Sequence, residues 1–269
     1  MRKLLAAAVA AAVALAGFTV LATADEGQEG TSWTFSFSDK RKAKPTGSNS
    51  IIEPAKRDTK GTDDPSDDHY DAPAVSVIRF PPGSTVDTGA RRFCRESPSD
   101  VQAGRESCPG RTKIGSGLAN NVLGQPDEGG GTEVVAPIEA FNLRRGILFV
   151  IDPCSPGTGP GMGAPCTPIP GGRVVLEGAW SKVNRRPTLR VETPAALLRG
   201  GVIITRFQLR TNKLTRKQRV RVGGRRRTVV RSYATTPGTC KGRWTSQAIE
   251  TYEDGSKQTI RDRQTCRRG

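Results

Sequence analysis

The chain has 269 residues, 42 Lys and Arg against 26 Asp and Glu, a formal net charge of +16, six cysteines and one histidine. A single histidine and the lack of any C-x-x-C pair exclude the usual structural zinc ligand sets. Sparse aromatics, abundant Gly and Pro and the lack of a sustained 3.6-residue period exclude a helical bundle and point to many short strands joined by turns.

The amino terminus reads as a leader. Arg2 and Lys3 precede an apolar run from Leu4 to Leu21, and Ala22-Thr23-Ala24 is a small-x-small cleavage signal, so residues 1–24 are expected to be a signal peptide. An uncleaved anchor is the competing reading, because the run nearly spans a bilayer. The lack of a Cys near the cleavage point argues against a lipid anchor, and no second apolar span follows. Residues 25–269 are long enough for one large β domain or two small ones, and are read as a single domain that is secreted or held in the cell envelope.

Ser32 to Ser38 alternates Trp33, Phe35 and Phe37 with hydroxyls, the pattern of a half-buried strand. A long polar loop is expected at about 39–72, basic at Lys40-Arg41-Lys42 and acidic from Asp58 to Asp71, with room for one short strand at Ile51-Ile52. Ala74 to Phe80 is the next strand, stopped by Pro81-Pro82-Gly83. Lys113 to Val122 reads as a weak strand broken by Gly115 and Gly117. Thr132 to Asn142 alternates, and the continuous apolar run Gly146 to Ile151 predicts a strand buried on both faces.

Pro153 to Gly172 is an irregular loop. Arg173 to Trp180 and Thr188 to Val191 predict a hairpin around Asn184-Arg185-Arg186. In Val202 to Arg210, alternation puts Ile203, Thr205, Phe207 and Leu209 on one face. Arg219 to Tyr233 predicts a hairpin with Val220, Val222, Thr228 and Val230 inward, Gly223 to Arg227 as the loop, and Arg219, Arg221 and Arg231 outward. Arg243 to Tyr252 and Ser256 to Cys266 pair around Asp254-Gly255. Ten to twelve short strands predict an antiparallel β-sandwich, immunoglobulin-like or jelly-roll-like.

An even cysteine count behind an export signal favours disulfides. Six cysteines allow 15 pairings. The sequential set is expected: Cys94–Cys108, Cys154–Cys166 and Cys240–Cys266, each closing a short segment, the last across the ends of a hairpin.

The apolar strand ending in Phe80-Pro81-Pro82-Gly83, then Cys94, then Cys108-Pro109 leading to Ile114-Gly115-Ser116-Gly117 form one part of a pattern. Thr236-Pro237-Gly238-Thr239-Cys240, Trp244, Tyr252, Asp254-Gly255 and Cys266 form the other. In these the chain resembles a group of uncharacterised exported β-rich proteins from GC-rich bacteria. The resemblance implies a secreted or envelope β domain of unknown activity and carries over no catalytic residue. Cys154 and Cys166 lie outside it.

Catalytic patterns are weak. His69 lies in the acidic stretch and no G-x-S-x-G elbow occurs, so a nucleophile with its base is not expected. Glu139, Asp152, Glu177, Glu192 and Glu250 could supply paired carboxylates for glycoside hydrolysis, though each reads first as an exposed or ion-paired acid. Trp180 and Trp244 are the aromatic platforms such an enzyme would use, and core packing is the competing role. Asp58 to Asp71 clusters calcium-type ligands without the D-x-D-x-D-G spacing. Gly157 to Gly163 lacks G-K-[ST] and is no phosphate cradle. No metal or cofactor is expected.

The sharpest feature is charge. Thr193 to Ile249 contains no Asp or Glu, while Arg219, Arg221, Arg225, Arg226, Arg227 and Arg231 crowd one hairpin. Guanidinium groups fork onto phosphate and carboxylate oxygens, and a concentrated positive field attracts polyanions. The bland reading is compositional: GC-rich coding inflates Arg, and charged edges also block aggregation. Aromatics barely interleave with the arginines, so sequence-specific nucleic-acid reading is not expected. The reading carried forward is a non-enzymatic envelope module that binds an anionic wall polymer or polysaccharide through these six arginines. A secreted carbohydrate-active hydrolase and a purely structural or adhesive protein are the alternatives.

Overall fold

The computed structural model describes residues 31–54, 56–57, 69–70, 72–123, 132–198 and 202–267. The leader at 1–24 lies outside them, as do the acidic side chains of the expected calcium run and the side chain of His69. In chain order the strands begin with β1 (Ser32–Phe37), β2 (Pro45–Thr46), β3 (Ser48–Glu53), β4 (Lys56–Arg57), β5 (His69–Tyr70) and β6 (Val75–Arg79). There follow β7 (Thr85–Val86), β8 (Lys113–Leu123), β9 (Thr132–Asn142), β10 (Gly146–Ile151), β11 (Val174–Val183) and β12 (Arg186–Glu192). The last are β13 (Val202–Thr211), β14 (Thr215–Val222), β15 (Arg225–Ser232), β16 (Ala234–Thr235), β17 (Arg243–Thr251) and β18 (Lys257–Thr265). Among the described residues helix is confined to α1 (Pro98–Gln102), α2 (Ala195–Leu198) and short 3-10 turns.

Eleven strands form one sheet in the order β1-β3-β13-β8-β9-β10-β11-β12-β6-β17-β18. Every neighbouring pair in it is antiparallel. The fold is therefore all-β and antiparallel, and the two expected layers are halves of a single sheet that nearly closes on itself. At the seam, side chains of β18 reach the backbone of β1: Asp262 accepts the Phe35 N–H at 2.9 Å.

The interior follows from alternation. Trp33, Phe35 and Phe37 of β1 turn inward and meet Phe80 and Trp244, with ring centroids 4.8 Å apart for Phe35–Phe80 and 5.9 Å for Phe37–Trp244. Edge-to-face pairs of this kind contribute about 0.5–1.5 kcal/mol each beyond area burial. Every residue of β10 is buried. Ile147, Phe149 and Ile151 face the interior cluster, while Leu148 and Val150 pack outside against Phe141, Val101 and the Cys94–Cys108 bridge. The outer cover is a disulfide-closed segment carrying α1, whose Ser97 Oγ accepts the Asp100 N–H and whose Pro98 fills the first helical position. All three sequential disulfides are formed, with Cα–Cα distances of 5.2, 5.1 and 5.9 Å.

Four local expectations are corrected. The stretch expected as a loop with room for one short strand carries four among its described residues, β2 to β5; β3 covers Ile51-Ile52 and is held between β1 and β13 by backbone pairing on both sides. Gly115 and Gly117 do not break β8. A Cβ at either would lie 2.3 Å from the Arg210 carbonyl oxygen or 1.9 Å from that of Gln208, so glycine permits the close approach to β13. The β13 register slips between Ile204 and Arg206, a bulge that turns Ile204 inward with Phe207 and Leu209 in place of strict alternation through Thr205. The arginine hairpin turns at Gly223-Gly224, both at positive φ (+56° and +76°), so Arg225 to Arg227 belong to β15 and not to a loop.

Candidate functional site

The two-residue turn changes which arginines share a face. Lys217 lies opposite Val230, Arg219 opposite Thr228 and Arg221 opposite Arg226, forming one face of the β14–β15 ribbon. Arg216 opposite Arg231, Val220 opposite Arg227 and Val222 opposite Arg225 form the other. Val230, expected inward, is 58% exposed. Arg219, Arg221, Arg225, Arg226 and Arg227 are exposed, and among the described residues none has a carboxylate partner.

Arg231 behaves differently. Its Nε donates to Asp87 Oδ2 at 2.6 Å and its Nη2 to Oδ1 at 2.5 Å, a bidentate pair that raises the guanidinium above its ordinary value. Arg231 therefore fastens the ribbon to the barrel, and the other five remain available to a ligand.

At the ribbon's base lies a depression of about 450 Å³ lined by Arg91, Arg92, Arg95, Arg111 and Arg216. Among the described residues the one acid in its lining is Glu96, whose Oε2 accepts the Arg95 N–H at 2.7 Å. The segment is held by Asn142, fully buried at the end of β9: its Nδ2 points into the carbonyls of Thr88, Arg91 and Arg92, and its own carbonyl accepts the Cys94 N–H at 2.8 Å. The Cys94–Cys108 bridge then brings Arg111, just after Cys108-Pro109, beside Arg91 and Arg92. Sequence reading missed these four arginines because acids are interspersed with them along the chain. The available signal was the Arg91-Arg92 pair and Arg111 flanking the two cysteines of one bridge.

The other candidates do not converge. Glu139 pairs with Lys113 at 2.5 Å, Asp152 with Arg173 at 2.6 Å and Glu192 with Arg190 at 2.9 Å. Glu177 is exposed on β11, and Glu250 is buried inside the barrel at 2% exposure. Trp244 is buried and donates from Nε1 to the Thr239 carbonyl at 2.8 Å, while Trp180 packs half-buried against Phe80. Neither forms an open sugar platform. Cys94, Cys108 and Glu96 lie close together, but the sulfurs are bonded to each other and offer no thiolate to a metal. In the Gly157 to Gly163 loop, a Cβ at Gly159 would lie 2.9 Å from Cys154 Sγ, so that glycine serves the disulfide.

Compared with protein-family models, with curated proteins and with solved structures, the chain matches none.

Proposed function

We propose that this protein is an extracytoplasmic, non-enzymatic binding module that engages an anionic polymer through the arginine ribbon and the depression at its base. The observation that carries the reading is the meeting of Arg216 of β14 with Arg91, Arg92, Arg95 and Arg111 around one depression whose lining holds a single carboxylate among the described residues. Such a surface has more guanidinium groups than its own acids can neutralise, so its field attracts phosphate- or carboxylate-bearing chains. The three disulfides suit an oxidising compartment. Among the described residues no helix is long and apolar enough to cross a membrane.

The test uses inorganic polyphosphate and polygalacturonate as probes. Binding is expected to weaken by roughly tenfold or more between low and physiological salt, because pairing several charges releases counterions. Replacing Arg91, Arg92 and Arg95 by Ser, or Arg225, Arg226 and Arg227 by Ser, is expected to lower both affinity and salt slope. Affinity indifferent to salt, or untouched by both triple replacements, would leave a purely structural role as the better reading.

A further inference from the structure

Inside the barrel a cavity of about 120 Å³ lies between β3 and β13 on one side and β6, β10, β11, β12 and β17 on the other. Its wall is mostly aliphatic and aromatic, with Ile78, Phe149, Leu176, Leu189, Phe207 and Leu209 as the larger groups. Its lining includes one ionisable side chain among the described residues, Glu250. At one end the wall comes from connecting segments, where Thr193 Oγ1 donates to the Pro73 carbonyl at 2.7 Å.

Glu250 is placed there by register. On β17 it lies directly opposite Ser76 of β6, and the Ser76 hydroxyl donates to its Oε2 at 2.5 Å. Its other oxygen, Oε1, is buried and has no hydrogen-bond partner among the described residues. A buried polar oxygen left unpaired is costly, and most buried polar atoms in native proteins are paired. An apolar side chain of similar volume would remove that cost while still packing the wall. Glu250 thus sets an unfilled hydrogen-bonding position beside an unfilled apolar volume, the combination found in small-molecule sites.

We propose that the barrel interior binds a small apolar alcohol, about one ring in size, whose hydroxyl bonds Oε1 of Glu250. Volume bounds the size: an apolar cavity of about 150 Å³ takes up benzene, so this one, at about 120 Å³, holds no more than a single ring. The head group follows from the acceptor and donor inventory. A hydroxyl donates to Oε1 when the carboxyl is ionised and accepts from it when protonated, whereas a hydrocarbon leaves Oε1 unpaired. An amine would bring a second charge out of water, with its own desolvation cost. A lone water would satisfy Oε1 but leave the apolar remainder of the cavity empty. The site is separate from the arginine surface, so this proposal stands or falls independently of polymer binding.

The test titrates the full chain with benzyl alcohol, toluene and benzylamine, following heat and the NMR signals of Ser76, Leu189 and Phe207. Benzyl alcohol is expected to bind roughly fivefold more tightly than toluene, the worth of about one neutral hydrogen bond, and to shift those signals. Glu250→Leu is expected to keep toluene binding and lose the preference for the alcohol. The wild-type comparison decides by itself should that variant fail to fold. Equal affinity for alcohol and hydrocarbon, tighter binding of benzylamine, no binding of any probe, or shifts confined to surface residues would each overturn the assignment.

Discussion

Gln264 of β18 stands in for a backbone peptide opposite Phe37 of β1: its side-chain carbonyl accepts the Phe37 N–H at 2.8 Å and its amide nitrogen donates to the Phe37 carbonyl at 2.8 Å. Two residues earlier, Asp262 accepts the Phe35 N–H. The side-chain period of two matches the spacing of the unpaired groups on β1, so two side chains close the seam that the backbone ladder leaves open and cover an edge that would otherwise invite pairing. Gln264→Ala is expected to destabilise the fold by about 1–3 kcal/mol, since it leaves a half-buried donor and acceptor without partners. Amide exchange at Phe37 should quicken selectively. Unchanged protection there would show that the seam does not depend on Gln264.

Burial pushes the Glu250 carboxyl up to about 7 from an ordinary 4.5, against the opposing pull of the Ser76 hydroxyl. The native state then holds its proton more tightly than the unfolded chain, so stability contributed by this site is full below about 4.5 and falls as pH rises through the window to about 7. Glu250→Gln is expected to remove that fall, a relative gain of roughly 3 kcal/mol at alkaline pH compared with acid. Urea unfolding of both proteins at pH 5 and pH 8 measures it. A difference between the two that is the same at both pH values would contradict the assignment.

Asp87 joins Arg231 to the body and also caps its own turn, accepting the Gly89 N–H at 3.0 Å. A Cβ at Gly89 would come within 2.8 Å of Arg231 Nη2, so the guanidinium occupies the space that glycine leaves. The pair is partly exposed, and Asp87→Ala is expected to cost only about 1 kcal/mol of global stability. Its effect should be local: faster amide exchange along β15 and weaker polyphosphate binding as the ribbon loses its fixed position over the depression. A ribbon whose exchange is unaltered would show that Arg231 is not the anchor.

The Cys94–Cys108 bridge spans 14 residues and carries the cover of β10. Replacing both cysteines by Ala is expected to cost about 3 kcal/mol, by the loop-entropy relation for a loop of this length. It should also lower polyanion affinity, because Arg95 and Arg111 would no longer be held on one rim. Loss of stability with affinity fully retained would separate the depression from the binding surface.

Some features were legible in the amino acids because they depend on near neighbours. Gly146 to Ile151 reads as a doubly buried strand since an uninterrupted apolar run has no face to offer water, and Leu148 and Val150 do lie under the disulfide-closed cover. Asp254-Gly255 and Asn184-Arg185 announce their hairpins by turn chemistry alone, with Gly255 at φ +83° and Asn184 and Arg185 at +49° and +62°. The arginine ribbon was visible as a ribbon, yet its faces were assigned wrongly, because moving the turn to Gly223-Gly224 changes which residues of β14 and β15 share a side.

By itself the sequence determined the secondary-structure class, the hairpins and the three local cysteine pairs, all set by alternation, turn residues and short chain separation. Tertiary structure alone decided that Glu250 meets Ser76 across 174 residues, that Gln264 meets Phe37 across 227, and that Arg216 joins Arg91 and Arg111. Those meetings depend on strand order and register, which arise when the whole sheet curls to bury its apolar face and which no local pattern of residues encodes.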